Sequence, residues 1–508
     1  MKNINRMAAI ALALICSLSI FHSCDSMLDL NPSDQYSANT FWKTQEHAQA
    51  GLSGCYNALY PYYKGQGPLF FEFDMITSNA MAYNEANGTD AISKGVHTPT
   101  SMLVAYLWKS AYTGIGRTNT FMDKIDAVKM DDKLKERIKG EALFLRAFYY
   151  QSLVDKFGGV PLILSAPNAQ QATLPRNTKE EVVNQILEDL STAATLLPNS
   201  YSGSDLGRIS KGAALSLKAR VLLYNQRWEQ AASTAQQTMD LNQYDLFDNY
   251  RSFFSAGNKY NKEVIFNVEF HTPDFTTNYD HDMYVLNRPA PLKELVDKYL
   301  MIDGKSISES PLFDPAKPYE NRDPRLHQSI RCVGYMYNGK ITQPSDVVTT
   351  GFGNKKYTTY QDDVSIPVID QNKSNFNPIV IRFAEILLTY AEARNEDLGP
   401  DQSVYDALNK IRSRTSVNMP NVPIGLTKEQ MRNVIRLERR IELAMEGLYY
   451  SDILRWKTAQ IENKALVHNA TGIAIASRSF DPERDYLWPI PHNQTVLNPN
   501  LAQNPKWK

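Results

Sequence analysis

Cysteine, basic excess and long apolar runs are all scarce in this chain, and each shortage removes a class of protein. Among 508 residues there are four cysteines, at positions 16, 24, 55 and 332. That is too few for a disulfide-stapled scaffold, and no Cys-x-x-Cys pair offers a zinc ribbon or a thiol-redox motif. The 54 Lys and Arg are matched by 55 Asp and Glu, so no basic surplus exists to bind nucleic acid. Beyond residue 23, no segment has the roughly 20 apolar residues that a membrane-crossing helix needs. His-Glu-x-x-His, the nucleophile elbow and the phosphate-cradling glycine loop are missing too, and Gly114-Ile-Gly116 lacks both a third glycine and a preceding strand.

What is present begins at the amino terminus. Lys2 and Arg6 precede an apolar run from Met7 to Ile20, and Phe21-His22-Ser23 leads into Cys24. A basic start, a short apolar stretch and a small residue form a bacterial export signal. With Cys24 as the first mature residue, the favoured reading is a lipoprotein whose thiol carries a diacylglycerol and whose amine carries a third acyl chain. Several such chains, at about 0.8 kcal/mol per buried methylene, hold a protein on a membrane durably. The alternative is an ordinary secretory signal with an incidental cysteine, since Phe21 and His22 depart from the usual Leu-Ala/Ser. Loss of Lys2 and Arg6 with residues 1–23 takes the formal charge from −1 to −3. Cys55 shares a helical face with Ala48, Leu52 and Leu59 and reads as a buried thiol; a Cys55–Cys332 disulfide is the alternative in an exported protein.

Apolar spacing makes the mature chain mainly α, and its length suffices for one large or two or three ordinary domains. Helical scaffold is expected over 24–60, 101–262 and 379–460, loop-rich structure over 61–100 and 271–378, and an extended tail over 461–508. Ile138, Ala142, Leu145, Tyr149 and Leu153 recur at three and four until Gly158-Gly159 stops the helix. Thr178-Lys-Glu-Glu181 and Thr427-Lys-Glu-Gln430 are capping boxes, the second opening a helix with Val434, Leu437, Ile441, Ala444 and Leu448 on one face. Leu215, Ala219 and Leu222, a turn at Asn225–Trp228, then Ala231, Ala235 and Thr238 resemble a tetratricopeptide hairpin. A looser copy spans Ile386–Ser416, with Leu387, Ala391 and Ala407 in comparable roles. The copies are degenerate and far apart, which favours a structural role. A helix is expected from Ile379 to Asn395, and alternation over Val264–Phe270 marks a short strand.

Several segments together resemble the SusD/RagB family of Bacteroidetes outer-membrane lipoproteins. They are Leu28–Tyr36 with Thr40–Thr44, Leu143-Phe-Leu-Arg-Ala-Phe-Tyr-Tyr150 leading to Phe157-Gly-Gly-Val-Pro-Leu162, and Asn321-Arg-Asp-Pro-Arg-Leu326. Further along stand Glu438–Gly447 with Asp452 and Arg455-Trp456, then Trp488-Pro-Ile-Pro491 and Asn498–Pro505. The set covers nearly the whole mature chain in the family's order. The resemblance implies a single domain over 24–508, with tetratricopeptide-like hairpins packed against an irregular ligand-facing side, and no catalysis. It also implies a lipid anchor in the outer membrane at the cell surface. Its partner would be a SusC-like TonB-dependent transporter, to which captured oligosaccharide, or peptide in the RagB branch, is delivered.

Glu438, Glu442 and Glu446 could be offered as glycosidase carboxylates. They read instead as i, i+4 members of a structural ion-pair network with Arg436, Arg439 and Arg440 on one helix. Asp323, between Arg322 and Arg325, reads as a turn fixed by charge-assisted hydrogen bonds. His271, Asp274, Asp280, His281 and Asp282 cluster, but their spacing fits no compact calcium loop, so neither metal nor cofactor is expected. Sugar capture needs flat apolar faces flanked by amides and hydroxyls. Tyr83, Tyr279 and Tyr284 are the expected stacking platforms, with Asn84, Asn87 and Asn278 as hydrogen-bonding partners; Tyr335, Tyr337 and Phe352 are a further aromatic source. Trp108, Trp228, Trp456 and Trp488 fall on scaffold segments. The expected function is glycan capture and hand-over to the transporter. Peptide capture, a hydrolase and a protein-only adaptor are the rivals.

Overall fold

The computed structural model describes residues 41–60, 69–82, 88–463 and 465–507, the side chains of 69–71 excepted. Cys24, Tyr83, Asn84 and Asn87 lie outside the described residues. The fold is mainly helical, as the spacing predicts. Nine helices of more than ten residues carry it among the described residues: α1 Gln45–Asn57, α2 Met102–Ile125, α3 Asp132–Phe157, α4 Lys179–Leu196, α5 Lys211–Tyr224, α6 Trp228–Asp240, α7 Phe383–Leu398, α8 Gln402–Arg412 and α9 Lys428–Glu442. Their ends follow side-chain capping. Asp131 Oδ1 accepts from the Leu134 amide at 2.8 Å to start α3, and Gly158, at φ 72°, closes it. Both expected capping boxes form, at Thr178/Glu181 and Thr427/Gln430.

The helices stack in sequence: α2 on α3, α3 on α4, α4 on α5 and α5 on α6, with α1 against α2 and α3. The stack then continues from α6 directly onto α7, although residues 241–382 separate them in sequence; α7 packs in turn on α8 and α9. The two tetratricopeptide-like hairpins are thus neighbours. Close approach relies on missing side chains. A Cβ on Gly114 of α2 would stand 2.3 Å from the Tyr149 ring of α3, so this glycine is a packing contact. Tyr149 also donates its hydroxyl to the Cys55 carbonyl at 3.0 Å, tying α1 to the same point. Cys55 and Cys332 are both buried free thiols, and burial pushes each up to about 12.

Three expectations about element ends are corrected. Residues Ile379–Arg382 are a strand before α7 begins, pairing antiparallel with Val264–Asn267. The expected strand over 264–270 stops at Asn267, although the Val268 amide still donates to the Pro378 carbonyl at 3.0 Å. The helix expected to run to Leu448 stops at Glu442, because Met445 (φ 63°) and Gly447 (φ 78°) turn left-handed.

That stop feeds a buried ionic knot. Arg382 pairs with Glu263, Glu442 and Glu446 at 2.7–2.8 Å, and Arg414 with Glu263 and Glu442 at 2.7 and 2.9 Å. Arg325 reaches Asp323, Glu438 and Glu442 at 2.5–2.9 Å, Arg412 reaches Glu438 at 3.1 Å, and Lys356 reaches Glu446 at 2.7 Å. The network is structural as expected, but its partners are not the local arginines of α9. They come from the loop region and the second hairpin. One knot therefore clamps residues 323–325 and 356 to the scaffold, with a small apolar cluster (Tyr299, Leu326, Phe352, Ala444) packed alongside. Asp323 fixes its turn by accepting from the Arg325 backbone amide at 2.9 Å, while Arg322 donates to the Val296, Tyr299 and Pro318 carbonyls instead.

Candidate ligand face

The two loop regions meet. Ala80–Met81 pairs antiparallel with Ala290–Pro291, and the Leu292 amide donates to the Asn79 carbonyl at 2.9 Å. Arg288 and Glu72, both buried, pair at 3.1 Å across the same seam. Within 271–378, bridges join Thr277 to Ser374, and Ile330–Cys332 pairs with Phe352–Asn354.

An exposed aromatic surface is formed by residues 260–275 together with Tyr60. Phe275 is 38% exposed and stacks on the half-buried Tyr60 ring, 5.5 Å between centroids and 23° from parallel. Tyr60 is held edge-on to Phe270 at 5.1 Å, and its hydroxyl donates to the Glu269 carbonyl at 3.0 Å. Tyr260, 53% exposed, donates to the Glu269 carboxylate at 2.6 Å, which also accepts from the Asn377 amide at 2.8 Å. Lys259 bonds Asn375 Oδ1 at 2.8 Å beside them. Flat rings thus sit among amide, carboxylate and ammonium groups already held in place. This is the donor and acceptor chemistry that sugar hydroxyls need.

The expected platforms fare unevenly. Tyr279 is 1% exposed and lies edge-on to Tyr357 at 6.2 Å, so its ring is core and has no face for a ligand. Asn278 is half-buried, and its Oδ1 accepts from the Asn372 amide at 2.6 Å, which commits that oxygen to holding the loop. Tyr284 is half-buried. Its ring lies 4.2 Å from Tyr360 with the Arg331 guanidinium 5.1 Å from its centroid, and its hydroxyl accepts from Asn338 at 3.2 Å. Of the further aromatics, Tyr337 and Phe352 are buried, and Tyr335 stays half-exposed over His327 at 4.2 Å. Tyr60 and Tyr260 lie outside the expected set, and Phe275 opens the stretch Phe275–Tyr279 that supplied the expected Asn278 and Tyr279 without being chosen itself. Its available signal was an apolar ring two residues after Pro273 in an otherwise polar stretch. Trp108 and Trp488 are buried, and Trp228 and Trp456 pack partly buried against the core, as expected of scaffold residues.

The acids that could imitate a glycosidase pair do not reach this face: Glu438, Glu442 and Glu446 are 2%, 0% and 7% exposed and bound to guanidinium or ammonium groups. Asp282, near the seam, is pushed up to about 7 by burial, with Arg288 pulling the other way; one of its oxygens is buried without a partner.

A model of the SusD family matches residues 235–507, and one described as "Starch-binding associating with outer membrane" matches residues 27–223. The chain belongs to the SusD family. It is 26% identical to SusD-like protein P38 of Formosa agariphila over 99% of both chains. Among solved structures it resembles a SusD-like carbohydrate binding protein of Bacteroides fragilis, with TM-score 0.83 and 27% identity over 91% of this chain and all of that one. A second SusD-like protein of Bacteroides fragilis superposes with TM-score 0.81 at 28% identity, covering 94% of this chain and all of that one. Of the segments that carry the resemblance, Leu143–Tyr150 falls on α3, Asn321–Leu326 in the knot, and Glu438–Gly447 at the end of α9 and the turn after it.

Proposed function

We propose that this SusD-family chain is a non-catalytic surface lipoprotein that captures a glycan and delivers it to a TonB-dependent outer-membrane transporter. One observation carries the capture step. Tyr60, at the end of the first helical segment, and Phe275, from the loop-rich region, stack ring on ring, and Tyr260 stands near them on the anchored Glu269 and Asn377. An open surface of that kind suits a polymer better than a closed pocket does. The carbohydrate-binding description of the Bacteroides fragilis relative and the outer-membrane description of the matching family model support the same reading. The lipid on Cys24 would keep the capture surface beside the transporter.

Retarded migration of the purified protein in gels containing a panel of polysaccharides tests capture. The expected result is retardation by at least one glycan, weakened by Phe275→Ala. No retardation, together with calorimetric binding of oligopeptides, would replace the glycan with a peptide; release of reducing ends would make the protein a hydrolase. Palmitate labelling that disappears in Cys24→Ala tests the anchor, and co-purification with a barrel from native membranes tests the partner.

A further inference from the structure

Most deeply buried arginines here pair with an acid, while Arg251, Arg322 and Arg478 donate to carbonyls; the partly buried Arg436 on α9 does neither. Arg432, Arg436 and Arg440 follow one another at single-turn spacing. Arg432 pairs with Glu396 at 2.5 Å and Arg440 with Glu462 at 3.4 Å. Arg436, between them, makes no hydrogen bond or ion pair among the described residues, and its Nε is buried without a partner. Its guanidinium lies 4.8 Å from the centre of the Trp456 indole. Trp456 is itself fixed by its Nε1–H donating to Glu392 at 2.7 Å. A guanidinium held on an aromatic ring keeps its in-plane N–H groups for a planar or tetrahedral oxyanion.

Arg436 lines a groove of about 700 Å³ bounded by residues 297–308, α9 and 449–462, segments that take no part in the aromatic face. Lys298 and Arg440 line it too, and its two acids are already engaged: Asp297 with Lys293 at 2.6 Å, and Glu462 with Arg440 and the Tyr449 hydroxyl at 3.1 Å. Ser308 and Asn433 are exposed on its rim, and Thr458 Oγ1 lines it without a hydrogen-bond partner. Three cations against two acids leave the lining a net formal charge of about +1, which favours an anion, and the groove's size is that of a ligand site for a small molecule or short oligomer.

We infer that this groove is a second binding site, specific for an acidic sugar, in which Arg436 takes the carboxylate or sulfate group and the hydroxyl and amide rim takes the ring hydroxyls. The inference deepens the capture reading, and its choice of a sugar rests on it. The test is calorimetric titration of the full mature protein with three probes: a trimer of galacturonic acid, maltotriose as the neutral counterpart, and inorganic sulfate. Binding of the acidic trimer, weakening steeply with salt and falling at least tenfold in Arg436→Gln, is expected; maltotriose should leave this site empty. Asn433→Asp, on the exposed face three residues before Arg436, supplies a competing carboxylate without touching the core and should give the same loss. Sulfate that binds as tightly as the trimer would reduce the site to a simple anion site and overturn the sugar assignment. No binding of the acidic trimer, or binding unchanged in both variants, would overturn the inference altogether. Retardation by a neutral polysaccharide, read separately in gels, reports on the capture face alone, so the two readings fail independently.

Discussion

Replacing Glu442 by Gln keeps the shape of the side chain and removes one negative charge from the centre of the ionic knot. The carboxylate is fully buried. Its Oε1 accepts from Arg382 at 2.7 Å and Arg414 at 2.9 Å, and its Oε2 from Arg325 at 2.9 Å. In the variant one oxygen remains an acceptor, while the new amide turns its own N–H groups towards a guanidinium. Removing one member of a buried charge cluster costs about 3–5 kcal/mol, because its partners stay desolvated and unmatched. The one or two charge-assisted hydrogen bonds lost with the replaced oxygen, at about 1.5–3 kcal/mol each, give a comparable range. Urea unfolding followed by tryptophan fluorescence measures it. Glu320→Gln, which breaks the exposed Lys317–Glu320 pair, is the control and should cost no more than about 0.5 kcal/mol. The pH dependence is a second readout. Burial alone would raise the Glu442 carboxyl, but Arg414, Arg382 and Arg325 outweigh it and hold the group far below the usual carboxylate range. The unfolded chain therefore takes up the proton first as pH falls. The contribution is complete above pH ~5, where an unfolded glutamate is ionised, and is lost progressively in acid. The gap between wild type and variant should narrow accordingly. A Glu442→Gln protein within about 1 kcal/mol of wild type at pH 7 would refute a structural role for these acids and reopen the catalytic one.

Tyr284→Ala should weaken glycan retention less than Phe275→Ala does, because the Tyr284 ring is already engaged by Tyr360 and Arg331; equal losses in affinity gels would move the centre of the face to Tyr284. Asp282→Asn should stabilise the protein at pH 8 and leave it unchanged near pH 4. Burial raises this carboxyl to about 7, so its folded form binds the proton more tightly than the unfolded chain, and stability falls as pH rises from about 4 to 7; denaturation midpoints at the two pH values decide it. Gly114→Ala would drive a methyl group into the Tyr149 ring and should cost about 1–3 kcal/mol, read as a lower urea midpoint.

The helices were legible because apolar spacing and capping boxes are local signals, and local signals suffice for α3, α4 and the hairpin of α5 and α6. What lay beyond them was contact over long sequence separation. Nothing in residues 211–240 or 383–412 alone says that α6 and α7 pack together; the excursion over 241–382 hides it. The acids of α9 were misassigned for a related reason. Glu and Arg at four-residue spacing read as local pairs, whereas three guanidinium groups from distant segments, Arg325, Arg382 and Arg414, converge on Glu442 in a dry interior and outcompete them. The left-handed turn at Met445 and Gly447 that follows α9 is where Glu446 meets Arg382 and Lys356.

The misplaced platform has a different physical cause. A loop region with only two-stranded ladders has few Leu, Ile or Val periodicities from which to build a core, so large rings must fill it. Tyrosine does this well, because the hydroxyl can be satisfied locally: Tyr337 donates to Thr358 at 2.9 Å, and the Tyr360 oxygen accepts from the Ile369 amide at 2.9 Å. Tyr279, Tyr299, Tyr337, Tyr357 and Tyr360 are all 1% exposed or less. Richness in tyrosine over 271–378 is therefore first a packing signature. The rings proposed for a ligand are those that keep the most exposed surface, Phe275 and Tyr260, with Tyr60 backing Phe275. If that reasoning holds, Tyr279→Phe should leave glycan retention unchanged while Phe275→Ala lowers it, a contrast in which composition alone would rank the two the other way round.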